Sequence, residues 1–166
     1  THSHGMGVAD YGAVALMPTL GMSVEQTERA GRRSGFTHER EVARAGYYSV
    51  TLDDTEIDVE LTATARVALH RYTFPADSDA VVLLDIGHQM ADVEIADGEI
   101  TVDAEASELM GFVLSDGSYS GRFGGIPVYF VARFSQSFES FGVWSGTELT
   151  EGENSRTGPD SGAWAR

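Results

Sequence analysis

The sequence predicts an all-β fold, a large antiparallel β-sandwich, and three observations carry that prediction. Apolar and polar residues alternate with a period of two through much of the chain, as in strands that bury one face. Turn signals such as Asp-Asp, Asp-Gly and Phe-Pro interrupt these runs at short intervals. No stretch keeps a helical period. The expected count is nine or ten strands in one domain spanning residues 1–166, since 166 residues that are 42% hydrophobic suffice for one core and are too few to suggest two.

The elements follow in order. Residues 13–17, AVALM, read as a short buried strand that ends at Pro18. Residues 19–46 show no period and carry glycines at 21, 31, 35 and 46, so they read as a long excursion with a turn or two of helix between Glu25 and Arg33. Loops of that length are usually functional. Tyr48, Val50 and Leu52 then alternate with polar residues up to Asp53-Asp54, and Ile57, Val59, Leu61 and Ala63 alternate after it, which predicts a hairpin. The same run continues through Val67 and Leu69 and ends at Phe74-Pro75. AVVLLDIG, 80–87, is apolar throughout and reads as a strand covered on both faces. Asp97-Gly98 lies between two alternating segments and predicts a second hairpin, because tight hairpin turns need positive φ. MGFVLSDG runs into another Asp-Gly turn, and IPVYFVARFS and FESFGVWSG add two aromatic-rich strands. The polar, glycine-rich tail after Gly146 reads as loop, with Ala163-Trp164-Ala165 starting a further strand.

Charge and composition narrow the function. The formal net charge is -15, from 26 acids and 11 bases, and all the bases are arginine. Such a chain repels phosphate, which argues against nucleic acid and against an anionic membrane surface. With no cysteine, disulfides, thiolate metal sites and cysteine nucleophiles are excluded. No apolar run approaches the ~20 residues that span a bilayer.

The histidines are the candidate chemistry. His2 and His4 stand two apart in THSHGMG and share a face if the segment is extended. The pair would bind a metal only with a third ligand; the alternatives are hydrogen bonding at a polar pocket and a structural or exposed pair. Gly5 suits a backbone that bends or lies close to a ligand. In FTHERE, 36–41, His38 has Phe36 on one side and Glu39 and Glu41 on the other. That is an acid–base pair or a solvated turn laced with surface ion pairs. His70 shares a face with Arg66, Tyr72 and Glu60 if the run from 57 is one strand, and His88 falls in a loop. Carboxylate pairs alone single out nothing among 26 acids.

Several long stretches, in order, resemble glycoside hydrolase family 92. THSHGMGVADYGAVALMPTLG is similar to the family's Phe-Ser-His-Thr-His … Leu-Met-Pro-Thr signature, with Gly5-Met6 for the usual Leu-Ser and Ala13 where Asp is common. FTHEREVARAGYYSVTLDD resembles its Phe-Ser-His-Glu-x-Glu … Pro-Gly-Tyr-Tyr segment, with Ala45 in place of Pro. IDVELTATARVALHRYTFP matches a third block. The resemblance implies a supersandwich of the galactose-mutarotase kind, cut from a longer chain. It also implies an inverting, calcium-dependent exo-α-mannosidase, secreted to the extracellular space or periplasm and of bacterial type. Its catalytic acids and its calcium would lie in a helical catalytic domain of the same chain, so no catalytic or metal-binding residue is expected here. This part would form one wall of the active-site cleft, with His2, Ser3, His4, Gly5, His38 and Glu39 as substrate-binding candidates toward α-mannoside glycans. The competing readings are a stand-alone carbohydrate-binding sandwich with Tyr119, Tyr129 and Trp144 as a platform, and a structural module that only packs against its partner domain.

Overall fold

A computed structural model describes residues 12–90 and 93–166. In chain order the strands are β1 (Ala15–Leu20), β2 (Glu41–Arg44), β3 (Tyr47–Leu52), β4 (Ile57–Ala63), β5 (Ala68–Thr73), β6 (Ala80–Asp85), β7 (Glu94–Asp103), β8 (Glu108–Asp116), β9 (Ile126–Arg133), β10 (Phe141–Ser145), β11 (Glu148–Glu151), β12 (Ser155–Thr157) and β13 (Ser161–Ala165). One short helix, α1 (Val24–Thr27), and 3-10 turns at His38–Arg40 and Ser120–Phe123 complete the described elements. No helix among the described residues is long and apolar enough to cross a membrane.

The strands form three antiparallel sheets, ordered β1-β6-β13-β10-β11, β12-β7-β8-β9 and β2-β3-β4-β5. The first two face each other across the main core. Leu84 and Ile86 follow β6 inward, Val143 and Ala163 come from β10 and β13, and Ile100, Val102, Leu109 and Val113 answer from β7 and β8. The opposite face of the five-stranded sheet buries Val81, Leu83, Trp144 and Trp164 under Met22 and Leu149. β6 is therefore covered on both sides, which is why its sequence is apolar without alternation. The third sheet buries Val50, Leu52, Ile57 and Val59, against which Met17 and Leu20 of β1 pack.

The structure corrects the sequence reading in six places. β1 does not stop at Pro18; it runs through it, with Pro18 opposite Val82. β1 is an edge strand, and an edge tolerates proline because half its N–H groups face no neighbour. The run from Ile57 to Leu69 is two strands, since a turn at Thr64–Val67 folds β5 back on β4, held by Thr64 N–H to the Val67 carbonyl at 2.8 Å.

Asp97-Gly98 is no hairpin but lies inside the continuous strand β7, directly after a bulge between Ile95 and Asp97. The extra residue shifts the alternation by one, so that Ile95 and Ile100, of opposite parity, both point into the core. Glycine is required at 98 for space: a Cβ there would stand 2.9 Å from Ile86 and 3.1 Å from the Phe112 carbonyl.

The polar tail contains three strands, and β13 sits at the centre of the five-stranded sheet. Its place is secured by a reciprocal pairing across the ladder: Gly142 lies opposite Trp164, and Trp144 opposite Gly162. Each indole covers the facing glycine so closely that a Cβ on Gly162 would lie 2.1 Å from the Trp144 ring. Trp144 is thus core, not surface, and drops out of any exposed aromatic platform. The sixth correction follows from the Thr64–Val67 turn: Glu60 pairs with Arg71, while His70 pairs with Leu61 on the other face.

Candidate functional site

The third sheet gathers the chemistry. One of its faces carries Glu41, Tyr48, Val50, Val59, Leu61, His70 and Tyr72, in two cross-strand rows: Ala43–Tyr48–Leu61–His70 and Glu41–Val50–Val59–Tyr72. Val50 and Val59 on this face are buried in the cluster that Met17 and Leu20 of β1 join, Leu61 packs beside them, and polar groups flank them at both edges.

At the β2 edge the long excursion ends in the His38–Arg40 turn and enters β2 at Glu41. Residues i and i+3 eclipse on a 3-10 turn, which brings His38 over Glu41. The His38 Nδ1 and Glu41 Oε2 are 2.6 Å apart, and the Tyr48 hydroxyl donates to Glu41 Oε1 at 2.7 Å. The Tyr48 hydroxyl, then His38, hold the Glu41 carboxyl below its ordinary range. Burial, helped by the Glu41 carboxylate, pushes Tyr48 up to about 12. Opposite an ionised carboxylate the imidazole carries its proton on Nδ1, so Nε2 is the atom turned outward. The His38 side chain is 88% exposed, its partner Glu41 only 20%. Phe36 meets the imidazole edge-on at 5.9 Å. Arg40 belongs to a separate clamp, holding Glu56 at 3.0 and 2.6 Å and so fixing the turn to the β3–β4 hairpin.

At the β5 edge, His70 Nδ1 and the Tyr72 hydroxyl are 2.7 Å apart, and burial lowers the His70 pKa. Three inter-strand steps of about 4.8 Å put roughly 14 Å between the two edges. The reverse face of the sheet is polar: Glu60 binds Arg71 and receives the Tyr47 hydroxyl at 2.8 Å, and burial does not offset these bonds, so its carboxyl falls to about 2.

A second polar cluster lies on the outer face of the five-stranded sheet. Arg32 reaches down from the excursion to the buried Asp85 at the end of β6, and Gly87 N–H donates to the same carboxylate at 2.8 Å. Burial raises the Asp85 pKa to about 6 even against the attraction of Arg32. The pair opens on a cavity of about 330 Å³ that His88 and Asp160 also line.

Of the sequence-predicted site, His2, Ser3, His4 and Gly5 lie outside the described residues. His38 and Glu39 lie on the same exposed turn, and the carboxylate that reaches His38 is Glu41. Tyr48 and the Arg32–Asp85 pair were not singled out from the sequence, whereas Tyr72 was placed on the His70 face, where the structure has it. The i,i+3 spacing of His38 and Glu41 was the available signal for the first cluster; nothing in the sequence marks a contact 53 residues apart.

The comparisons agree with this architecture. The model of the glycosyl hydrolase family 92 N-terminal domain matches residues 1–166. No curated protein matches the chain. Among solved structures, a family 92 inverting mannosidase from Bacteroides thetaiotaomicron is similar, with TM-score 0.74 and 22% identity over 92% of this chain and 19% of its own. A family 92 α-mannosidase from the same organism, solved with mannoimidazole, gives TM-score 0.81 and 23% identity over 99% and 22%. The family 92 glycosyl hydrolase ccman5 gives 0.83 and 24% over 99% and 23%. The chain thus spans about a fifth of the length of the structures it matches. With the family model covering every residue and the sheets superposing, the chain belongs to glycosyl hydrolase family 92, as its N-terminal domain.

Proposed function

We propose that this domain forms the sugar-facing wall of an exo-acting, inverting α-mannosidase whose catalytic groups lie in a helical domain of the same protein. The family match over residues 1–166 carries the reading. The geometry supports it: the Tyr48–Glu41–His38 chain at one edge of the β2–β5 sheet and the His70–Tyr72 pair at the other set hydroxyl, carboxylate and imidazole groups beside the core, which suits a ligand with many hydroxyls. Glu41, fixed by Tyr48, orients the exposed His38 imidazole, whose Nε2 then accepts from a sugar hydroxyl. His2, Ser3, His4, Gly5 and Glu39 belong to the same proposed wall. Inverting hydrolysis needs two carboxyl groups about 6.5–9.5 Å apart with water between them, and neither is assigned to this domain.

Calcium belongs to the proposal only as a cofactor carried elsewhere in the protein. Among the described residues no three histidine or carboxylate side chains stand together to hold an ion. Secretion to the periplasm or cell exterior, where mannose-bearing glycans are met, completes the reading.

The test is release of mannose from an α-mannoside by the full-length protein, with and without a calcium chelator. Loss of activity on chelation and a raised KM in His38→Ala are expected. A full-length protein that leaves α-mannosides intact would sink the assignment, and mannose release by residues 1–166 alone would show that the acids were placed in the wrong domain.

A further inference from the structure

The solvent face of the β12-β7-β8-β9 sheet breaks the pattern an exposed sheet face should keep. Antiparallel sheets that pack on one side normally turn polar residues to water. On β9 the outward positions are Pro127, Tyr129, Val131 and Arg133, and on β8 they are Glu108, Met110, Phe112, Leu114 and Asp116, so an apolar stretch runs between Asp116 and the Arg133–Glu108 ion pair. Tyr129 is 76% exposed and Val131 64%. The Phe112 and Tyr129 rings stand side by side at 5.8 Å with a tilt of 38°. The Ser120–Phe123 turn folds back against this face, with Gly121 on the Asp116 carboxylate and Gly125 on the Leu114 side chain, and it leaves Tyr119 and Phe123 exposed.

The cross-strand row through these rings is ordered. Thr157, Glu99, Phe112 and Tyr129 are successive partners across the four strands, giving a hydroxyl, a carboxylate and two rings in line. Three inter-strand steps make that row about 14 Å long, enough for a short run of sugar rings. The electrostatics select the occupant. Glu99, Asp97 and Asp116 border the rings on a chain of net charge -15, and of the two nearby arginines Arg133 is paired with Glu108 and Arg122 lies over the Tyr119 ring, so anionic partners are disfavoured. An uncharged carbohydrate suits both halves of the row: its C–H faces meet the negative π-faces of the rings, and its hydroxyls donate to Glu99 and Thr157.

We propose that this face is a second carbohydrate-binding surface, taking an extended, uncharged oligosaccharide across β7, β8 and β9, apart from the wall formed by the β2–β5 sheet. The identity of the sugar as mannose rests on the mannosidase reading; the surface itself does not. The probe is soluble α-mannan, read by affinity electrophoresis of the full-length protein, with hydrolysis of a small aryl α-mannoside and thermal stability followed in parallel. Tyr129→Ala should weaken mannan retention about tenfold, the scale of one lost stacking contact, and Tyr129→Phe should restore it. Aryl-mannoside kcat/KM and Tm should stay at the wild-type level in both. Wild-type retention in Tyr129→Ala, or no retention of the wild type, overturns the proposal. So does a combined loss of retention, turnover and Tm, which would make the face a seam against the rest of the protein. A wild type that is retained through Tyr129 but leaves the aryl mannoside intact sinks the mannosidase reading and leaves this surface standing.

Discussion

At the scale of single residues, the His38 imidazole is only as well placed as the groups behind it. Tyr48 donates to Glu41, and Glu41 holds His38, so under the proposed function the hydroxyl acts on substrate through two intermediates. Tyr48→Phe removes the largest influence keeping the Glu41 carboxyl low. The KM for an α-mannoside should rise about three- to tenfold with kcat little changed, the size of effect expected when one hydrogen bond is lost. The acid limb of kcat/KM should also move to higher pH, because Glu41 then takes up its proton earlier. An unaltered pH profile would assign Tyr48 to packing alone. A second residue-scale prediction concerns the glycine under Trp144. Gly162→Ala places a methyl 2.1 Å from the buried indole and should cost about 2–3 kcal/mol in a urea melt. The sequence shows these groups as residue types at suggestive spacings. It does not show that Glu41 rather than Glu39 reaches His38, because that choice depends on the turn being 3-10.

At the scale of elements, the excursion between β1 and β2 is fastened to the sheet by a buried ion pair. Asp85 ordinarily titrates near 3.8 and here is raised to about 6, so the folded state binds its proton more tightly than the unfolded state. The stabilisation from that proton is complete below pH 4 and is lost as pH rises through 6. Arg32 limits the loss by pairing with the carboxylate once it is charged. Arg32→Met should therefore destabilise the domain by about 3 kcal/mol at pH 7, in the range seen when one partner of a buried pair is removed. The deficit should shrink toward zero at pH 4, where Asp85 is neutral in both proteins. Chemical denaturation at the two pH values decides it, and an equal deficit at both would mean that Arg32 contributes packing, not charge. Element by element, the strand runs were legible where alternation was clean, as in β3 and β4. They were misread at Pro18, Thr64–Val67 and Asp97-Gly98, where the same residue types serve an edge, a turn and a bulge.

At the scale of the molecule, the three sheets are not equally tied together. Two share a large core, while the β2–β5 sheet has its own cluster, joined to β1 through Met17 and Leu20. Replacing both by Ala should cost about 2 kcal/mol, less than a fully buried pair would. The loss should be local: amide exchange should accelerate in β3 and β4 first, with β6 and β13 protected as before. Simultaneous loss of protection in all three sheets would show a single cooperative unit instead. His70 adds a pH term of opposite sign to that of Asp85. Its lowered pKa gives stability that is present above pH 6.5 and lost as pH falls through the folded value.

The sequence by itself determined the all-β class, because a period of two is a local property that any strand with one buried face must display. It determined the acidic surface, and the long ordered motifs identified the family. The tertiary structure alone decided that the polar tail supplies the central strand β13, since a Gly-Trp pair becomes a lock only when the complementary pair faces it across a ladder. It alone put His70 and Glu60 on opposite faces, because one turn reverses the parity of every residue after it. The opening histidines pose the same limit: their spacing is visible in THSHGMG, but what they touch is a matter of distances between elements, which spacing along a chain does not contain.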